Sequence, residues 1–316
     1  MNTEKTDRMY DVIIVGGGPA GLSAAIYTSR DRLDTLLIEK GLTGGMINEA
    51  DKVDNYPGFP EGISGMDLTS RMYQQAQKYG LKDVNAEVTS IEIWDKHNFV
   101  IKTSDGEYTS KAIIIAGGSD KQKMDTPGEK EYTGRGVSYC ATCDAPFYTN
   151  KVVAVVGGGN SALYEALHLA KFAVKVYIIH RRDHLRATQI VQERAKTEPK
   201  IEFILGTIVE AVEGRDVIEK LKLKNVATGE TSELKLEGVF VSIGLKPNTG
   251  YLKGIVDLDE AGMIVANDRM ETSVPGIFAA GDIRHNSIRQ TIAAAGDGAV
   301  AALSAKKWID ENTFVT

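Results

Sequence analysis

The chain has 316 residues with 42% apolar side chains, enough for two domains with cores of their own and too much for one very small unit. A net charge of −6, with lysine and arginine mixed among aspartate and glutamate, excludes the basic field that binding to nucleic acid requires. The polar Met1–Tyr10 and the short apolar run Val12–Val15 offer neither a secretory segment nor a membrane span, so the expectation is a cytoplasmic protein with no membrane partner.

Val12-Ile-Ile-Val15 reads as a strand buried on both faces of a parallel sheet. Gly16-Gly-Gly18-Pro-Ala-Gly21 follows it, a helix of small residues runs over Gly21–Ser29, and the next strand ends on Glu39. This context is that of a dinucleotide-binding turn. Gly16 permits the tight bend, Gly18 lets the backbone approach a pyrophosphate, Gly21 allows helix and strand to pack closely, and Glu39 is placed to accept from a ribose diol. The bland alternative is a glycine turn that binds nothing. Further on, Glu87–Lys102 alternates apolar and polar residues, and Ala112-Ile-Ile-Ile-Ala116 returns to a buried strand. It ends at Gly117-Gly118, where the chain is expected to cross into a second domain.

The only 2 cysteines lie together in Cys140-Ala-Thr-Cys143, followed by Asp144. That is unlike the scattered cysteines of a secreted disulfide scaffold. The spacing permits a local disulfide and lowers a thiol pKa, and Asp144 is placed to relay the protons of thiol–disulfide exchange. Half a zinc site is the competing reading, but there is no second cysteine pair and the 5 histidines show no paired ligand spacing, so no metal is expected. A pair of inert buried thiols stays open.

Lys151–His180 then repeats the design of Asp11–Glu39: strand Val152–Val156, turn Gly157-Gly-Gly159-Asn160-Ser161-Ala162, helix Ser161–Lys171 and a second strand. Gly157, Gly159, Ala162 and His180 fall at one constant offset from Gly16, Gly18, Gly21 and Glu39. Here the second strand ends in His180-Arg181-Arg182-Asp183 with Arg186 beyond. Without the acid a 2′-phosphate is no longer repelled, and three guanidinium groups can clamp it, which favours NADPH over NADH. A solvated basic turn is the alternative. A strand from Gly238 runs into the Gly/Pro turn Ile243–Asn248, a second crossing. Val274–Asp282 and a small-residue helix through Ala305 read as the first domain resumed. The expected fold is therefore α/β, two Rossmann-like dinucleotide-binding domains with the second inserted in the first. His97, His168, His184 and His285 show no partner pattern and are taken as satisfied or solvated, and Trp94 and Trp308 as packing residues.

These motifs resemble the low-molecular-weight thioredoxin reductase family nearly end to end, from Asp11 to about Trp308: Gly16–Gly21, Asn55-Tyr-Pro-Gly58, Cys140–Asp144, Gly157–Ala162, His180–Asp183 with Arg186, and Ala280-Gly-Asp282 with Arg289-Gln290. The resemblance implies an FAD domain of residues 1–118 and 248–316 and an inserted NADPH domain of residues 119–247 that carries the dithiol. It further implies a homodimer joined mainly through FAD domains. The implied activity is NADPH-dependent reduction of thioredoxin or a thioredoxin-like protein through FAD and the dithiol. Cys143 is then expected to face the flavin, Cys140 to attack the substrate disulfide and Asp144 to act as acid/base, with Asn55, Asp282 and Gln290 on FAD. Rotation about the two crossings would alternate hydride delivery with exposure of the dithiol.

The sequence departs from the family pattern at Met46 for glutamine, Gly117 for threonine, Ala145-Pro146 where glycine is usual, and Tyr164 for glutamate. A flavin-binding redox sensor, or a related flavoprotein reductase with another donor or disulfide partner, is the alternative function.

Overall fold

The computed structural model describes residues 8–50, 52–95 and 98–313. Strand β1 (Met9–Val15) contains the apolar run, and helix α1 (Pro19–Arg30) starts behind the glycine turn with proline in its first positions, where a missing N–H costs nothing. Then come β2 (Thr35–Glu39) and α2 (Gly65–Gln77), whose first turn is capped by Ser64 Oγ accepting from the Asp67 N–H at 3.0 Å. Strands β3 (Lys82–Asn85), β4 (Val88–Ile93), β5 (Phe99–Thr103) and β6 (Glu107–Ile115) follow. The alternating stretch Glu87–Lys102 is thus an antiparallel hairpin, with Ile91, Phe99 and Ile101 turned into the core.

After β7 (Ser119–Lys121) the chain forms β8 (Val137–Ser138), the single turn α3 (Ala141–Asp144), β9 (Val152–Val156), α4 (Asn160–Leu169), β10 (Lys175–Ile179) and α5 (Gln189–Thr197). β11 (Ile201–Ile204), β12 (Thr207–Gly214), β13 (Ile218–Asn225), β14 (Thr231–Lys235) and β15 (Gly238–Val241) complete this part. β16 (Leu245–Pro247), β17 (Ile277–Ala279) and the long helix α6 (Thr291–Thr313) end the chain.

The chain divides into two compact units, Met1–Asp120 with Lys246–Thr316, and Lys121–Leu245. In the first, β3-β2-β1-β6 is a parallel array. On the far side of β6, β17 joins in parallel through Ile113–Ile115 while the β5–β4 hairpin joins antiparallel through Glu107–Ser110. Order reverses at β1, so the crevice at its carboxyl end is where such sheets bind ligands. Val12 and Ile14 pack under α1, α2 and α6, whereas Ile13 and Val15 pack with Ile113, Leu252 and Ile264 on the other face. Burial on both faces explains why the run is apolar without alternation. α6 runs past the Ala305 expected from its small residues because Trp308 and Ile309 keep it on this core. Trp94, read above as a packing residue, is instead 67% exposed, because the hairpin end lies beyond the sheet.

The second unit repeats the plan. Its parallel sheet has the order β11-β10-β9-β15-β8, with Val153 and Val155 facing α4 and Ala154 facing a layer that includes the antiparallel sheet β12-β13-β14. Among the described residues no helix is long and apolar enough to cross a membrane.

Candidate functional site

Three places are candidates for the chemistry, and each is built within one unit. At the first turn Gly16 has φ +105°, and a Cβ there would lie 2.5 Å from the Ala116 carbonyl oxygen. A Cβ on Gly21 would lie 1.9 Å from the Gly16 carbonyl oxygen, so both positions require glycine. A Cβ on Gly18 would meet no atom within 4 Å, which leaves open space in front of the turn. Glu39, at the end of β2, accepts from the Gly17 N–H at 2.7 Å with one carboxylate oxygen and from the Gly41 N–H at 2.8 Å with the other. Each oxygen keeps a lone pair for a further donor. A cleft of about 280 Å³ opens here, lined by Gly16, Glu39, Lys40, Val88, Gly117 and Tyr251 among others.

Beyond the cleft, Asp282 Oδ1 accepts from Ser287 Oγ at 2.7 Å, and its main-chain carbonyl accepts from Ser119 Oγ at 2.5 Å. The loop is clasped from α6: Asp297 takes two bonds from the Arg284 guanidinium, at 2.6 and 2.9 Å, and one from the Gly281 N–H at 3.1 Å. A partly buried bidentate pair fixes the loop's orientation as well as holding it. Asn286 and Arg289 have φ +59° and +60°, a left-handed backbone that the clasped loop imposes just ahead of α6. Asn55 Nδ2 donates to Gln290 Oε1 at 3.2 Å, which joins two residues far apart in sequence.

In the second unit Gly157 has φ +153°, and a Cβ on it would lie 2.2 Å from the Ser242 carbonyl oxygen; a Cβ on Gly159, like Gly18, would meet nothing within 4 Å. Asn160, first in α4, accepts from the Thr188 N–H at 2.8 Å, and the Arg186 N–H donates to the Gly158 carbonyl at 2.7 Å. Segment 180–188 is therefore folded back over the turn. Ser161 and Ala162 occupy the first turn of α4, Ala162 fully buried behind Gly157. The His180 ring is buried against Gly158, and its Nε2 has no hydrogen-bond partner among the described residues. Burial, then the charges of Arg186, Arg181 and Arg182, push its pKa below the usual histidine value. Arg181, Arg182 and Arg186 are exposed, and none is in an ion pair among the described residues. Asp183 instead meets His184 Nδ1 at 2.6 Å, and that bond holds its carboxyl below the usual range.

Cys140 and Cys143 form a disulfide across α3, with Cα atoms 5.3 Å apart. The Cys143 N–H donates to Cys140 Sγ at 3.3 Å. Ser138, buried at the end of β8, donates through Oγ to Asp144 Oδ2 at 2.6 Å and accepts from the Cys140 N–H at 3.1 Å. One hydroxyl thus ties the acid to the backbone of the first cysteine. Nearby, burial and the charge of Asp144 push the Tyr148 hydroxyl up to about 12, so it stays protonated. Among the described residues no cluster of three or more His, Cys, Asp or Glu side chains suits a metal ion.

Residues 10–298 match the pyridine nucleotide-disulphide oxidoreductase family model. The chain is 46% identical over 306 residues to the thioredoxin reductase of Bacillus subtilis (strain 168), covering 96% of each. It is 48% identical over 301 residues to that of Treponema pallidum (strain Nichols), covering 95% of this chain and 97% of the relative. The chain belongs to the thioredoxin reductases of this family. A crystal structure of thioredoxin reductase from Streptococcus pyogenes MGAS5005 superposes with a TM-score of 0.92 at 40% identity, covering 97% of this chain and all (100%) of that one.

For a thioredoxin reductase sequence the residues singled out are well grouped: Gly16, Gly18 and Gly21 form one turn with Glu39 bonded to it, Asn55 and Gln290 touch, and Cys143 and Asp144 lie on α3 with Cys140 as its N-cap. Ser138 and Tyr251 were not singled out. A serine two residues before Cys140 carries a weak signal; Tyr251 carries none, because it reaches the cleft from a turn remote in sequence. His184 and His285 each pair with an acid, Asp183 and Asp259, and His168 meets Phe172 in a tilted ring contact with centroids 5.5 Å apart. His97 lies outside the described residues.

Proposed function

We propose that the chain is an NADPH-dependent thioredoxin-disulfide reductase, with FAD seated in a domain of residues 1–118 and 248–316 and NADPH in an inserted domain of residues 119–247. The observation that carries this is the Cys140–Cys143 disulfide with Asp144 tied to it through Ser138. The first turn fits a dinucleotide: open space stands before Gly18, the adjacent cleft holds about 280 Å³, and Glu39 is oriented by two N–H groups with lone pairs to spare. Asn55, Asp282 and Gln290 would hold the remainder of FAD. Gly157, Gly159, Asn160, Ser161, Ala162 and His180 would hold the NADPH diphosphate and ribose, and Arg181, Arg182 and Arg186 its 2′-phosphate.

FAD, when bound, supplies the relay that takes a hydride from NADPH and delivers two electrons to the disulfide. Opening the S–S bond leaves two sulfurs that take up two protons, and Asp144 is the group placed to pass them. Cys140, giving its proton back and held as a thiolate by the Cys143 N–H, attacks one sulfur of the thioredoxin disulfide and expels the other as a thiolate, which takes up that proton. Cys143 then attacks the Cys140 sulfur of the mixed disulfide, which restores the Cys140–Cys143 bond and releases the second thiol. In the cytoplasm, where thiols are kept reduced, this cycle runs toward thioredoxin reduction. A homodimer joined through the first unit would cover Ile292, Val300 and Leu303, which stand exposed along α6.

Anaerobic addition of NADPH is expected to bleach the flavin, and thioredoxin is expected to be reduced in steady turnover. Cys140→Ser should keep flavin reduction and drop thioredoxin reduction to background. A protein that bleaches but never turns over would be a sensor, and one that takes up no flavin would end the reading.

A further inference from the structure

Tyr139, the residue ahead of Cys140, is held at both ends by groups that the dithiol motif does not contain. Its hydroxyl donates to Glu129 Oε1 at 2.8 Å. Glu129 is buried, and its carboxylate also accepts from the Met124 N–H at 2.9 Å and the Asp125 N–H at 2.8 Å, a set of donors that suits an acid held inside the fold. The main-chain carbonyl of Tyr139 accepts from Lys121 Nζ, and the same ammonium stands over the Tyr139 ring, 5.8 Å from its centroid. Lys121 ends β7, 18 residues before Tyr139, and both lie in the second unit.

The charges gathered around Cys140 explain what a cation does there. Asp144 is joined to the Cys140 N–H through Ser138, and Glu129 reaches the preceding residue through the Tyr139 hydroxyl. Next to burial, the Asp144 charge is what pushes up the Tyr148 hydroxyl, and Lys151 faces the Tyr148 ring at 5.3 Å. α4 packs against α3 and carries a further acid, Glu165, and His168, which burial and then Lys171 keep neutral at neutral pH. Carboxylates so placed oppose the negative charge that Cys140 must carry as a nucleophile. Lys121 offsets them, because its hydrogen bond sets a positive charge against the peptide that leads into Cys140.

We propose that Lys121 is a positioning residue of the dithiol, its ammonium fixing the Tyr139–Cys140 peptide and supplying the positive charge that favours the Cys140 thiolate. The inference rests on the reading that Cys140 attacks the thioredoxin disulfide, and it adds a residue that lies outside both the glycine turns and the Cys140–Asp144 motif. Cys140 is only partly buried, so its thiolate is open to a disulfide or to an alkylating reagent. A unit charge on the order of 6 Å from a sulfur, in surroundings between water and a protein interior, moves a thiol by about one pH unit.

The test is alkylation of Cys140 by iodoacetamide across pH, in reduced full-length holoenzyme carrying Cys143→Ser so that Cys140 is its one thiol. Lys121→Met, which keeps a stem of similar length and removes the charge, is expected to move the midpoint of the profile up by about one pH unit. It should slow alkylation at neutral pH only about threefold, since the weaker acid is the better nucleophile once ionised. Lys121→Arg keeps both charge and donor and should hold the parent's midpoint. A midpoint unmoved by Lys121→Met overturns the proposal, and so does an equal shift in both variants, since the charge is then not what acts. A shift that comes only with loss of far-UV circular dichroism overturns it too, because the role is then structural. None of these measurements needs NADPH or thioredoxin, so a wild type that never reduces thioredoxin would end the reductase reading separately, with the effect of Lys121 on Cys140 still standing.

Discussion

The two glycine turns share a backbone and part company at the residue that ends the following strand. Gly16 and Gly157 both take a left-handed φ, and Gly18 and Gly159 both face open space. At the first turn the strand ends in Glu39, whose carboxylate is drawn in by the Gly17 and Gly41 N–H groups. At the second it ends in His180, whose ring packs on Gly158 with three exposed arginines following. The lesson is that the fold supplies the same glycine turn twice, and one side chain with its neighbours decides the sign of charge that stands beside each.

The comparison breaks most severely at the third small residue of each turn. Gly21→Val drives a side chain into the Gly16 carbonyl, 1.9 Å from where its Cβ must stand, whereas Ala162 already accommodates a Cβ at the equivalent place. Gly21→Val is expected to destabilise the protein by about 3 kcal/mol and to yield colourless protein, read by thermal denaturation and flavin absorbance, while Ala162→Gly costs roughly 1 kcal/mol. A Gly21→Val protein with native melting would refute the close packing.

Next in size is the charge contrast. Arg181→Ala with Arg182→Ala should raise the KM for NADPH about tenfold and leave that for NADH nearly unchanged, because the lost contacts address only the 2′-phosphate. Equal losses for both nucleotides would place these arginines elsewhere.

The smallest effect is on acid stability. His180 is held neutral, its folded pKa below the 6.5 of the free group by burial first and by Arg186, Arg181 and Arg182 next. The unfolded chain therefore takes up this proton first as pH falls. The contribution of His180 is complete above about pH 6.5 and is lost as pH drops from there toward its lower folded value. His180→Gln should flatten the fall in melting temperature across that window; an unchanged pH profile would show that the imidazole is not buried neutral. Glu39 has no such histidine beside it, so a Glu39→Gln control should leave the acid limb in place.

Much of this was legible before any coordinates. The apolar runs Val12–Val15 and Val152–Val156 and the glycines behind them read directly, because strand burial and a left-handed φ restrict residue type at the position itself. The pairing of Asn55 with Gln290 and the Arg284–Asp297 clasp on the Ala280–Asp282 loop did not, since each joins residues that no local pattern links. Trp94 misled for the same reason: an indole is apolar in sequence, and only its place at the hairpin end exposes it.

By itself the sequence determined the repeated strand–turn–helix design, the paired cysteines with their neighbouring acid, and the opposite charges that end the two second strands. These follow from constraints that act within a few residues: backbone dihedrals, periodic burial and the ionisation of adjacent side chains. Tertiary structure alone decided which polar atoms find partners. Asn55 met Gln290 from a segment 235 residues away, and Arg284 met Asp297 on α6, because the fold brings those segments side by side. Hydrogen bonds reach only about 3 Å, so their pairing is set by how distant segments are brought together and not by the segments themselves.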